Sequence, residues 1–204
     1  MMKKLIAVAA MVMMTWLAGW ADSPLTSTHF SQAYSEDVMV QMATDAQGDI
    51  PTTLLNYLAN PKAPIDVRLA AVNQLGWSFE GQSTGDQLLQ YLMGRYKCKN
   101  VDKLAKKLDA GTLAVYAYAK AMSNYFDVNE ASRLAHMAVK KDKSHSFSVA
   151  MISALIDAQI YLDNDWSKIY PVVAGVTNNG ALRLDMRQEA IDNIMEYINL
   201  YQEY

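Results

Sequence analysis

The sequence predicts an exported all-α domain of stacked antiparallel helical hairpins, an α-solenoid-like fold of about ten helices. Three observations predict it. Apolar residues recur at spacings of three and four instead of alternating. Helix-start and helix-stop residues repeat along the chain, separated by short connections that favour antiparallel neighbours. Strand signals are scarce, and no Asn-Gly or Asp-Gly joins two β-branched runs.

The first segment is an export signal by its pattern. Met1-Met2-Lys3-Lys4 is cationic and residues 5–21 carry no charge. Gly19 and Ala21 place small residues at −3 and −1 of a cut after Ala21. An uncleaved anchor is the competing reading, because 5–21 is near the shortest span that crosses a bilayer. The small residues at the junction, with Thr15 and Gly19 inside the run, favour cleavage. No cysteine follows the run, so a lipoprotein is not expected; the destination is the periplasm or the cell exterior. The mature domain then spans 22–204. Losing Lys3 and Lys4 lowers 18 basic residues to 16 against 21 acidic ones, so the net charge moves from −3 to −5. No second long apolar run occurs, so the mature chain has no expected transmembrane segment.

The helices follow in order. Ser35-Glu36-Asp37 opens one that runs towards residue 45, with acids in its first turn. Asp49-Ile50-Pro51 opens a second, stopped by Asn60-Pro61, and Pro64 starts a third that ends near Gly76-Trp77. A fourth covers 84–95. Asn100 caps a fifth, which Asp109-Ala110-Gly111 ends. Helices over 113–126, 129–141 and 146–162 come next. Asn164 or Asp165 starts a ninth, whose middle Pro171 should kink or break. After the turn at Asn178-Asn179-Gly180, a long last helix covers about 182–202.

Two internal likenesses accompany this pattern. Asp66-Val67-Arg68-Leu69-Ala70-Ala71-Val72 matches Asp185-Met186-Arg187-Gln188-Glu189-Ala190-Ile191 at an offset of 119 residues, close to three units of about 40. The order resembles the second helix of HEAT repeats. Residues 112–145, with Tyr118, Ala119 and Met122 on one helix and Ala131, Ala135 and Ala138 on the next, resemble a tetratricopeptide unit. They depart from it in having Ala119 where glycine is common and Lys143 where proline is usual. The resemblance implies an interaction scaffold with a concave face. It also implies that Leu113, Tyr116, Lys120 and Ser123 face the groove, where Tyr116 and Lys120 could grip a partner's peptide.

Charges give the other candidates. Arg68 and Arg187 each have apolar residues three and four positions away, so both point along an apolar stripe. The ordinary reading packs the stem and pairs the head with an acid or carbonyl, Asp66 or Asp185 being candidates; the functional one is an anion receptor in a groove. Asp185, Glu189, Asp192 and Glu196 line one face of the last helix without a basic partner on that helix. A basic patch comprises Arg95, Lys97, Lys99, Lys103, Lys106 and Lys107, a solvated face first and a surface for an acidic partner or a second copy next.

Several function classes are excluded or unsupported. The balanced composition, three histidines and one cysteine argue against a disordered tail, a disulfide-stapled mini-domain, a zinc finger and a strongly basic nucleic-acid binder. No nucleophile-elbow, P-loop or dinucleotide fingerprint occurs, and no helix carries two histidines at metal spacing. Asp163-Asn164-Asp165 lacks the glycine and closing glutamate of a calcium loop. Cys98 is expected to be partly buried and inert, and His136 exposed. The expectation is a non-enzymatic module that binds another protein or peptide, with no cofactor, metal or nucleic acid and with self-association open. The alternatives are a small envelope enzyme acting on glycan or peptide, and a small-ligand binder. An enzyme requires a deep pocket with convergent buried titratable groups, whereas Arg68 and Arg187 on one open cavity point to the ligand binder.

Overall fold

The computed structural model describes residues 22–46, 48–77 and 83–204; the predicted signal segment 1–21 lies outside the described residues. Ten α-helices run through them: α1 (Val38–Thr44), α2 (Thr52–Leu58), α3 (Ile65–Leu75), α4 (Thr84–Tyr96), α5 (Val101–Lys107), α6 (Ala110–Ser123), α7 (Asn129–Lys141), α8 (Phe147–Leu162), α9 (Ile169–Thr177) and α10 (Gln188–Ile198). The described residues form no strand, and the fold is all-α as expected. No helix among them is long and apolar enough to cross a membrane.

Local side-chain caps fix most helix starts. Asp37, Ser83, Asn100, Asp109 and Ser146 each accept a backbone N–H from the first turn of the helix that follows. α6 is the central post, packed by α3, α4, α7 and α8, and it is buried on nearly every side. Alanines at 114, 117, 119 and 121 let those neighbours approach. Gly85 of α4 comes closest: a Cβ there would sit 2.9 Å from the Cα of Lys120, and its N–H donates to Ser123 Oγ at 2.8 Å. α6–α7 and α8–α9 are intimate antiparallel hairpins, which accords with a solenoid-like arrangement.

The two ends of the chain also meet. A 3₁₀ turn at Phe30–Tyr34 packs on α10 and α3. Asn73 of α3 binds this segment, its Oδ1 accepting from Ser31 N at 2.9 Å. Its Nδ2 donates to Thr28 O at 3.0 Å and to the Tyr118 hydroxyl at 2.9 Å. An open stack touches only sequence neighbours; here first and last elements close on each other.

Three boundaries differ from the sequence expectation. Asp109 opens α6 instead of ending α5, because its carboxylate takes Thr112 N at 2.9 Å. Pro171 neither kinks nor breaks a helix: α9 begins at Ile169, so the proline sits in the first turn, where no i−4 acceptor lacks its donor. The last helix starts at Gln188 rather than near 182. Residues 182–187 are instead an extended strap along the start of α8, with Arg183 N donating to His145 O at 2.7 Å and Phe147 N to Arg183 O at 3.0 Å. Asp185 therefore leaves the predicted acidic helix face, and Arg187 becomes the residue before α10 instead of a point on its apolar stripe.

Candidate functional site

Four helix starts surround an open cleft of about 950 Å³. α3 contributes Pro64, Ile65 and Asp66; α6 contributes Ala110 and Gly111; α8 contributes Val149; and the strap before α10 contributes Arg183 to Arg187. The turn after α7, Lys141 to Ser144, completes the rim. The first turns of α6 and α8 there already donate to carboxylates, Thr112 N to Asp109 and Ser148 N to Asp185.

Most charged groups around the cleft are already engaged. Asp142 takes Ser146 N at 2.6 Å and Ser144 N at 2.9 Å. Burial acts against its ionised form, but these donors and the Ser144 hydroxyl prevail and hold its carboxyl below the usual range. Asp185 takes Ser148 N at 2.9 Å and Arg183 Nη2 at 2.8 Å, tying the strap to α8. Lys141 Nζ donates to the carbonyls of Ala105, Lys106 and Leu108, closing the end of α5. Arg187 lies 4.4 Å over the Tyr34 ring and bonds Ala33 O and Glu36, while its N–H donates to the Tyr34 hydroxyl at 3.0 Å. The Arg187 guanidinium in turn holds the Glu36 carboxyl low.

Arg68 is the buried cation of the cleft. It lines the cleft yet is only 2% exposed. Its Nη1 reaches Thr112 Oγ1 at 3.2 Å and Leu58 O at 3.4 Å, both neutral acceptors. Neither Nε nor Nη2 has an acceptor among the described residues, and no described carboxylate lies within 4 Å. Burial pulls its guanidinium below the usual arginine range, with Asp109 opposing from farther away. Gly111 makes the placement feasible, since a Cβ there would meet Nη2 at 2.7 Å. A buried cation with three of its five N–H donors unused is costly, and an incoming anion would relieve it.

The sequence candidates divide cleanly against this geometry. Arg68 and Arg187 do line one cavity, and the acid that pairs Arg187 is Glu36 rather than Asp66 or Asp185. Tyr116 is a correction: it is 1% exposed, because α6 is covered on nearly every side, and it faces no groove. Lys120 bridges α6 to α7 through Glu130 at 2.8 Å. The basic patch occupies the α4–α5 end, where Arg95 donates to the Tyr91 hydroxyl and Lys107 to Tyr96 O. Lys97, Lys99, Lys103 and Lys106 are exposed there. Gly111, Lys141, Asp142 and Arg183 belong to the cleft and were not singled out. The alternation of Arg183, Asp185 and Arg187 with Leu184 and Met186 is the sequence signal for an extended strap.

Other constellations carry less. Asp157 accepts Ser132 Oγ and faces His136 Nε2, both at 2.7 Å, so the carboxylate stands between serine and histidine and no base reaches the hydroxyl. Cys98 is half-buried, and the described residues contain no His/Cys/Asp/Glu group able to hold a metal ion. The chain matches no protein-family model, no curated protein and no solved structure. The HEAT-like and tetratricopeptide-like likenesses therefore rest on the residues quoted above alone.

Proposed function

We propose that this is an exported small-ligand-binding helical protein whose cleft receives an anionic small molecule at Arg68. The observation that carries the reading is a buried guanidinium, two of its three nitrogens without an acceptor among the described residues, on the wall of an open cleft that Arg187 also lines. Lys143 and Arg183 on the rim add positive charge to the same cleft. The volume suits a small organic molecule. A peptide-gripping groove on Tyr116 and Lys120 has less support, because the first is buried and the second is paired.

Thermal unfolding of the protein across a panel of small carboxylates, phosphates and sulfates tests the proposal. At about 100 times Kd a bound anion adds about 2.7 kcal/mol, which raises Tm by several degrees. The gain should vanish in Arg68→Gln. If no anion raises Tm, or if Arg68→Gln responds as the parent does, the cleft is not an anion site.

A further inference from the structure

We infer that the end of the molecule bearing Trp166, Leu200 and Tyr204 settles on the surface of the lipid bilayer that holds residues 5–21, with its aromatic rings at headgroup level. The inference rests on the export reading of the first segment and is independent of the cleft. It starts from where the described chain begins. Asp22 accepts the Ser27 hydroxyl at 2.7 Å, and its carboxylate stands beside the hydroxyls of Tyr197 and Tyr201. Those two hydroxyls are 2.8 Å apart, on α10 and on the 3₁₀ turn Asn199–Tyr201 that follows it. Ser23, Pro24 and Leu25 are buried directly behind Asp22, so the point of entry is fixed. The uncharged run 5–21 therefore joins the domain at this end.

The same end carries an exposed aromatic cluster. Trp166 is 46% exposed, and its ring stands edge-on to Tyr201 and Tyr204 at centroid distances of 5.8 and 5.2 Å. Its Nε1–H donates to Leu162 O at 2.7 Å, so the exposed part of the ring is hydrocarbon. Leu200 and Tyr204 are each 65% exposed on the terminal turns alongside. Trp and Tyr collect at membrane–water interfaces, where their amphipathic rings sit at headgroup level. A second copy of this chain is the less suitable occupant. Three partly exposed side chains fall well short of a stable interface, which buries about 800 Å² per partner. Charge sets the lipid class. Lys168 is paired with Asp165 at 3.0 Å, and Asp22 and the exposed Glu203 leave the neighbourhood net negative, so the contact needs no anionic lipid. Partitioning of three side chains is weak alone, and lasting attachment takes a second signal, which residues 5–21 supply. The contact thus orients the domain while that segment tethers it, and cleavage after Ala21 lets it go.

Tryptophan fluorescence of the full chain tests the inference. Trp16→Phe/Trp20→Phe leaves Trp77 and Trp166 as its tryptophans. A further Trp166→Phe isolates Trp77, so the difference between the two proteins reports Trp166. Both are bound to phosphatidylcholine vesicles, plain or brominated close to the headgroup, and recovered by flotation. Trp166 should lose at least about half of its emission to the bromines, as a ring at headgroup level would. Adding Leu200→Asp/Tyr204→Asp to the first protein should abolish that loss, while flotation and helical circular dichroism are kept because residues 5–21 still hold the chain. Emission of Trp166 unchanged by bromination, or quenching that survives Leu200→Asp/Tyr204→Asp, would overturn the inference. A chain that does not float with the vesicles would overturn it too, since the tether would be missing. A blue shift that grows with protein concentration in the absence of vesicles would give the patch to a second copy instead. These variants leave Arg68 untouched, so failure here leaves the anion site standing.

Discussion

Replacing Gly111 with alanine gives a prediction whose sign separates two accounts of the same residue. An ordinary glycine in the first turns of a helix gains about 0.5–1 kcal/mol on becoming alanine, because the unfolded chain loses freedom and helix propensity rises. At Gly111 the new Cβ meets Arg68 Nη2 at 2.7 Å, closer than real Cβ contacts come, so the guanidinium must move. Moving it weakens the donations from Nη1 to Thr112 Oγ1 and Leu58 O. Hydrogen bonds from a charged donor are worth about 1.5–3 kcal/mol, and the 3.4 Å contact to Leu58 counts for less. Net destabilisation of about 1–2 kcal/mol is expected after the propensity gain is subtracted. Urea unfolding followed by circular dichroism measures it. Gly94→Ala in α4 is the matched control, since nothing lies within 4 Å of its Cβ position, and it should be neutral or stabilising. If Gly111→Ala gains stability as Gly94→Ala does, Arg68 is not seated where this account requires.

Further expectations concern the frame that holds the cleft. Asn73→Ala leaves Ser31 N, Thr28 O and the Tyr118 hydroxyl without their partner, and should cost about 2–4 kcal/mol in chemical denaturation while speeding proteolysis of the segment ahead of α1. Gly85→Ala should destabilise by more than about 1 kcal/mol, because its Cβ meets backbone at Lys120, which cannot swing aside. Asp142 has a lowered folded-state pKa, so its stabilisation is present above the usual value of 3.8 and is lost as pH falls through the lower folded value. An acid titration of stability should therefore be shallower in Asp142→Asn than in the parent.

Helix positions were legible where the signal is local. Asp37, Ser83, Asn100 and Ser146 are short polar residues ahead of apolar runs, and each caps the helix expected there. Asp109-Ala110-Gly111 was ambiguous, because an aspartate cap and a terminal glycine occupy adjacent positions and either can govern. The strap at 182–187 could not be fixed from helical spacing, since its conformation depends on backbone bonds to His145 and Phe147, some 40 residues away in sequence. Arg68 stood out as a cation on an apolar face, but the meeting of four helix starts around it is a tertiary fact. A repeat-like register implies a groove at Tyr116, whereas the nearly continuous apolar run of α6 indicates burial on most sides, and burial prevails.

The most direct measurement compares the unfolding free energy of the parent and Arg68→Met in a buffer free of small organic anions. Methionine fills similar space without the charge. If Arg68 waits for an anion, removing an uncompensated buried cation offsets the two lost neutral contacts, and the variant should lie within about 1 kcal/mol of the parent or above it. A loss of about 3 kcal/mol or more would contradict this, making the guanidinium a structural tie among Leu58, Thr112 and the core and not the receptor of the cleft.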